Sequence, residues 1–383
     1  MTTPRKATLL FAGGGTGGHL YPAIAIADRI SELLRGRYPV DIHFAGTRRG
    51  IEYRIRESLG YPLHIVNIRG LVRSLTLKNL LVPFVLIGAI ITAWRLISRL
   101  QPDVVIGTGG YVALPVVRVA ALRSIPTVIQ EQNSFPGITT RKLAPHATHV
   151  FLGFGGAGSL IKARGRVTVS GNPVRTTINR GDRIDALRHF ALDPTRKTIL
   201  IIGGSQGSRP VNQAILSYVE HAPLTDAYQV LWQTGRGDYD EVKSRLADYS
   251  GKLAVFPFSD RMELVYAAAD IAVARAGALT IAELEACGLP SILIPYPHAA
   301  GDHQRKNAEE YAARGGAIVI AQKDLDLVNP LDRAVTLLAD GSAERMRRAL
   351  ASTVRPEPAV DIIAKRIIEM IQQAPTTGGD GET

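Results

Sequence analysis

Apolar runs rich in Val and Ile recur along this chain, each ending at a Gly, Thr or Asn cluster before helix-like periodicity begins. "TLLFAG", "DIHFAGT", "DVVIGTGG", "TVIQEQN" and "THVFLGF" fill the first 154 residues in this way. Strand followed by helix, repeated, predicts parallel strands with crossover helices on both faces. The order restarts at "KTILIIGGSQGS" and continues through "YQVLWQTG", "LAVFPFS", "DIAVARAG" and "PSILIPYP". The expected fold is therefore α/β, two doubly wound Rossmann-like domains in series, and 383 residues suit two ordinary domains. The stretch "VSGNPVRTTINRGD" has no apolar periodicity and places a hinge near residues 171–180. "PEPAVDIIAKRIIEMIQQ" reads as a C-terminal helix, and "APTTGGDGET" as a disordered tail.

Composition narrows the function classes. Hydrophobic content of 46% and charged content of 21% describe a globular protein, and no run reaches the roughly 20 apolar residues of a membrane span. The single Cys287 forms no internal disulfide and the N-terminus lacks a signal-peptide pattern, so a cytoplasmic protein is expected. Net charge is +11, and residues 1–100 carry 14 Lys or Arg against 5 Asp or Glu. That basic quarter suits nucleic acid, an anionic membrane or a phosphate-bearing substrate, or is simply solvated charge. Without zinc spacing or aromatic-basic interleaving, nucleic acid ranks last.

Glycine turns at strand ends carry the chemistry. In a doubly wound sheet, ligands bind beyond the carboxyl ends of the strands, where helix N-termini face phosphates. "GGGTGGH" at 13–19, "GTGGY" at 107–111 and "EQN" at 131–133 should therefore meet in one crevice. Gly13, Gly15 and Gly18 fit the dinucleotide fingerprint, but "DIHFAGTRRG" ends without the acidic residue that holds an NAD ribose, although Arg48 and Arg49 suit a 2′-phosphate. Residues 203–207 spell G-x-S-x-G, so a serine hydrolase with Ser205, Asp270 and His298 or His303 is a rival of another class. His19 is a candidate general base or else a helix cap. In "ARAGALTIAELEACGLPSILIPYPHAAGDHQRKNAE", Thr280 opens a helix able to receive a diphosphate. Glu283 suits ribose hydroxyls or merely favours the helix dipole, while His303 and Gln304 stand on a loop suited to sugar hydroxyls.

Taken together, "GGGTGGHLYPAIAIA", "GTGGYVALP", "EQNSFPG", "GNPVR", "GGSQGS", "RAGALTIAE" and "PHAAGDHQRKNA" span nearly the whole chain. In this order and spacing the sequence resembles the bacterial peptidoglycan N-acetylglucosaminyltransferases of glycosyltransferase family 28. The resemblance implies a fold of the B type, with the C-terminal helix packing back on the N-terminal domain. It implies an acceptor-binding, membrane-associating domain over 1–172 plus the helix 357–373, a donor-binding domain over 173–356, and a tail at 374–383. Carried over by motif, Thr16, Gly17, Gly18 and His19 would line the donor side with Asn133, Arg175, Ser205, Ser259, Ala278, Leu279, Thr280, Glu283 and Gln304. Gly15, Tyr111, Gln132 and Asn133 would face the acceptor, with His19 as base and Glu131 as the alternative.

The implied reaction is inverting transfer from UDP-N-acetylglucosamine to the 4-hydroxyl of the muramyl sugar on an undecaprenyl-diphosphate-linked muramyl-pentapeptide. Helix N-termini and an arginine would stabilise the leaving UDP without a metal or other cofactor. The Asp-x-Asp strings at 238–240 and 324–326 follow no apolar strand and are discounted as metal sites. Other readings are a related lipid glycosyltransferase, a UDP-sugar epimerase and a non-catalytic nucleotide-binding protein. Residues 71–100 carry an apolar run, Leu80 to Ile91, flanked by Arg73, Lys78, Arg95 and Arg99. Too short to span, it reads as a core helix with charged ends or as a segment dipping into one anionic leaflet on the cytoplasmic face. The family tips the reading towards peripheral attachment. Ala276 stands where the family often has Ser, and the glycine-rich 151–160 is unusual.

Overall fold

A computed structural model describes residues 6–68, 82–204, 206–222, 225–246, 249, 252–353 and 355–373. The chain forms two compact units: Met1–Gln132 with Pro136–Pro173 and Glu357–Thr383, and Asn133–Phe135 with Val174–Pro356. Among the described residues the first unit holds a seven-stranded sheet: β1 Ala7–Gly13, β2 Val40–Gly46, β3 Leu63–Ile65, β4 Val104–Gly109, β5 Thr127–Glu131, β6 His149–Leu152 and β7 Arg166–Val169. Their order is β3-β2-β1-β4-β5-β6-β7, every pairing parallel. The second unit holds six: β8 Lys197–Ile202, β9 Tyr228–Gln233, β10 Leu253–Phe256, β11 Ile271–Arg275, β12 Ser291–Ile294 and β13 Ala317–Val319. These run β10-β9-β8-β11-β12-β13, again all parallel.

The pleat explains why β1 is apolar at every position. Leu9 and Phe11 point to one face, into a core shared with Leu20, Ile26 and Ile30 of helix Gly17–Leu34 and with Ile363, Ile367 and Met370 of helix Ala359–Gln373. Leu10 and Ala12 point to the other, against Ala93 and Ile97 of helix Val82–Leu100 and Val116 and Ala120 of helix Gly110–Leu122. A strand covered on both faces has no polar side to alternate with. Each such large side chain, fully buried, contributes about 1.5–3 kcal/mol. The C-terminal helix thus returns to the first unit, fixed further by the Arg29 guanidinium, which donates to both Asp361 oxygens.

In each sheet the order reverses once, between β1 and β4 and between β8 and β11. Chains leave these neighbouring strands in opposite directions and open a crevice at their carboxyl ends, the usual ligand position in such sheets. The glycine turns at 13–19, 107–111 and 203–207 and the helix start at 277–280 lie at the ends of β1, β4, β8 and β11.

Candidate functional site

In the first unit the candidate residues gather at the β1 turn. Gly15 has φ of +85°, and Thr16 is the N-cap of helix Gly17–Leu34 without a side-chain cap bond. Thr16 Oγ1 instead lies 3.2 Å from His19 Nδ1, and the His19 carbonyl accepts from Thr108 Oγ1 at 2.7 Å. His19 therefore bonds to the cap residue without itself capping the helix. The β4 turn nests against it: a Cβ at Gly109 would stand 2.5 Å from His19 Cδ2, and one at Gly110 would stand 2.4 Å from the Gly14 carbonyl oxygen. With φ of +111° and +76° at these two positions, only glycine lets the second turn close on the first. Exposed Gly15, Thr16, Gly18 and Tyr111 and half-buried Gly17 and His19 thus share one rim.

The "EQN" triplet divides. Glu131 and Gln132 are each 3% exposed. Glu131 Oε2 accepts from the Gly137 amide at 3.0 Å, at the start of helix Ile138–Leu143. Gln132 donates to the Thr108 carbonyl at 2.7 Å and to Gln130, while Asn172 donates to the Gln132 carbonyl at 2.9 Å. These side chains hold the ends of β4 and β5 in place, and the Gln132 carboxamide is turned into the fold. Asn133 clusters with the second unit, where its Oδ1 accepts from Asn307.

In the second unit the candidate residues follow β8 and β11. Gly204 and Gly207 have φ of +86° and +77°, and a Cβ at Gly207 would meet the Thr234 carbonyl oxygen at 2.1 Å. Ser205 lies outside the described residues. After β11, helix Ala278–Ala286 follows the N-cap Gly277, which has no side chain to bond the first amides, and carries Leu279, Thr280 and Glu283 in its first turns. The Glu283 carboxyl accepts from Tyr266 Oη at 2.8 Å. Burial pushes this carboxyl above the usual carboxylate range, against the opposing pull of the Tyr266 hydrogen bond and the Arg175 charge. Burial, then Glu283, raises the Tyr266 hydroxyl well above its ordinary value. Gln304 Oε1 accepts from the Tyr296 amide at 3.0 Å, which orients its carboxamide. The Ser259 amide donates to Gln233 Oε1 at 3.3 Å. Arg175 is exposed.

Asp270 settles one rival. It precedes β11, at the amino end of the sheet, where its oxygens accept from Arg183 (2.9 Å), Lys197 (3.2 Å) and the Thr198 amide (2.8 Å). The G-x-S-x-G turn follows β8 at the carboxyl end, so Asp270 cannot orient a histidine there. Sequence reasoning missed Glu52, Thr108 and Tyr266, each of which holds a turn or a site side chain in place. None lies in a glycine motif's own span except Thr108, and a lone Glu or Tyr on an amphipathic stretch gives no signal.

Two doubly wound units in series, each with paired turns and a helix start at its point of strand-order reversal, make up a glycosyltransferase of the B type. Residues 9–152 match the glycosyltransferase family 28 N-terminal domain and residues 198–363 its C-terminal domain. Over 368 residues the chain is 40% identical to the UDP-N-acetylglucosamine--N-acetylmuramyl-(pentapeptide) pyrophosphoryl-undecaprenol N-acetylglucosamine transferase of Chlorobium limicola, covering 94% of this chain and 99% of that one. It is 40% identical to the Salinibacter ruber enzyme of the same name, over 96% and 97% of the two chains. The crystal structure of Acinetobacter baumannii MurG superposes with a TM-score of 0.74 at 27% identity, over 95% of this chain and all of that one. The chain belongs to glycosyltransferase family 28.

Proposed function

We propose that the protein transfers N-acetylglucosamine from UDP-N-acetylglucosamine to the 4-hydroxyl of the muramyl sugar of an undecaprenyl-diphosphate-linked muramyl-pentapeptide, with inversion at the anomeric carbon. What carries the reading is identity of 40% to enzymes so named along nearly the entire length of both chains. In this reading the first unit takes the acceptor and the second most of the donor, with Thr16, Gly17, Gly18 and His19 also lining the donor side. His19, held through Nδ1 by Thr16, removes the acceptor proton; a positioned imidazole typically contributes about 10²- to 10⁴-fold. Glu131 is the weaker candidate base, because its carboxylate already accepts from Gly137. The start of helix Ala278–Ala286 and Arg175 balance the charge on departing UDP, Glu283 takes the ribose hydroxyls, and Gln304 the sugar. Ser205 and Ser259 complete the donor contacts. This chemistry asks for no metal, so a chelator should leave the rate unchanged.

The same reading places the protein on the cytoplasmic face of the membrane as a peripheral enzyme of peptidoglycan synthesis, on which cell shape and division would depend. Helix Val82–Leu100 supports it, since Phe84, Ile87, Ile91 and Trp94 recur at spacings of three and four and are exposed by 72%, 55%, 46% and 48%. Among the described residues no helix is long and apolar enough to cross a membrane. An amphipathic helix with flanking Arg95 and Arg99 suits an anionic leaflet; Arg73, Lys78 and Leu80 lie outside the described residues. The decisive assay is UDP release from UDP-N-acetylglucosamine with and without a lipid-linked muramyl-pentapeptide. Acceptor-dependent release with a disaccharide product is expected. Release without acceptor would favour a hydrolase or epimerase, and UDP binding with no release would favour a binding protein.

A further inference from the structure

The first glycine turn is closed over a carboxylate that no glycine motif contains. Glu52 sits on the short helix Ile51–Arg54 beyond β2 and is wholly buried. Its Oε2 accepts from the Gly15 amide at 2.8 Å; its Oε1 accepts from the Thr47 amide at 2.8 Å and from Thr47 Oγ1 at 3.1 Å. Among the described residues no Lys, Arg or His pairs with it, so these donors alone offset the cost of burying the group. Three glycines make the room. A Cβ at Gly14 would stand 2.5 Å from Glu52 Cδ, one at Gly46 would stand 2.5 Å from Cγ, and one at Gly50 would stand 2.1 Å from both oxygens. One carboxylate thus accounts for glycines in two separate turns, after β1 and after β2.

This arrangement changes what the turn can bind. In a dinucleotide site the glycine turn offers its amides to a phosphate. Here the Gly15 amide is already bonded to an acidic oxygen supplied by the protein, and a phosphate in that place would also meet like charge. We propose that Glu52 is a positioning residue: it replaces an anion beneath the Gly13–Thr16 turn and fixes the rim that carries Thr16 and His19. The turn then presents Thr16 and His19 on a fixed edge, while the Gly15 amide, bonded from below, is not offered to a ligand. This inference rests on the acceptor reading given above for the first unit.

The test is Glu52→Gln in the full-length protein, a change that keeps volume but puts an NH2 where one of the two amides needs an acceptor. With Glu52→Gln, kcat/KM for the lipid-linked acceptor should fall about ten- to hundredfold, the scale of a hydrogen bond to a charged group. The UDP dissociation constant, which in this reading depends mainly on Arg175, Thr280 and Glu283 of the second unit, should move less than twofold. Selective 15N-glycine labelling gives a second readout: the Gly15 amide should exchange slowly in the unaltered protein and faster in the variant. An unprotected Gly15 amide in the unaltered protein would overturn the proposal, and that measurement stands even where the variant fails to fold. So would a folded variant with acceptor kinetics within twofold of the parent, or equal losses for donor and acceptor, which mark a merely structural role. Failure of the acceptor reading itself shows differently, as absence of acceptor-dependent UDP release from the unaltered protein while Gly15 stays protected.

Discussion

At the scale of single residues, the candidate residues of each unit depend on side chains that hold other side chains. His19→Ala should lower turnover by about 10²-fold or more while UDP affinity stays within a few-fold, because the ring belongs to the first unit; turnover near that of the parent would remove His19 as base. Tyr266→Phe removes the hydroxyl that donates to Glu283. A lost bond of this kind costs about 0.5–1.5 kcal/mol, or more if the carboxyl is left unpaired. UDP affinity measured by calorimetry should therefore weaken several-fold, and an unchanged constant would show that Glu283 does not hold the ribose. Motif reading reached the residues at the turns and stopped short of their supports. It also placed Gln132 towards the acceptor, whereas that amide bridges β4 and β5. A polar residue just past a strand end has the same sequence signature whether it faces a ligand or staples the next strand, and only the fold distinguishes them.

Among whole elements, the strands that were legible and those that were not differ physically. The ten strands visible as apolar runs include every central one. Unrecognised were β3, β7 and β13, which are three or four residues long, stand at sheet edges and are only partly buried. An edge strand pairs on one side and needs little apolar pattern, so Arg166–Val169 is stabilised by pairing with β6 more than by its own side chains. Helix Val82–Leu100 was legible as apolar, but its two faces were not. Ala89, Ala93, Leu96 and Ile97 enter the core, and the aromatic face stays outside. Phe84→Ser with Trp94→Ser should leave the melting temperature nearly unchanged, since neither side chain is buried. Sedimentation with vesicles containing anionic lipid should then show binding reduced about tenfold or more; equal binding would place membrane attachment elsewhere.

Across the whole molecule, the first unit is closed by residues far apart in sequence. His149 of β6 stacks on Phe151 with centroids 4.1 Å apart, and its Nε2 lies 2.9 Å from Thr168 Oγ1. Burial, followed by the charge of Arg366 on the C-terminal helix, lowers its pKa to about 4. The folded form thus binds fewer protons than the unfolded one between about pH 6.5 and 4. Stability is full above that window and falls as pH drops through it, by up to about 3 kcal/mol. His149→Phe should flatten the fall in melting temperature between pH 7 and 5, and a slope equal to the parent's would assign acid sensitivity to other groups. The return of helix Ala359–Gln373 to the β1 core carries a consequence for synthesis on the ribosome. Strands β1 to β7 are all made before the main stretch of the second unit, Val174–Pro356, yet the face of β1 that carries Leu9 and Phe11 lacks part of its cover until translation is almost over. The unit translated first is therefore the one completed last, and a nascent chain stalled anywhere in the second unit leaves that apolar face open to chaperones.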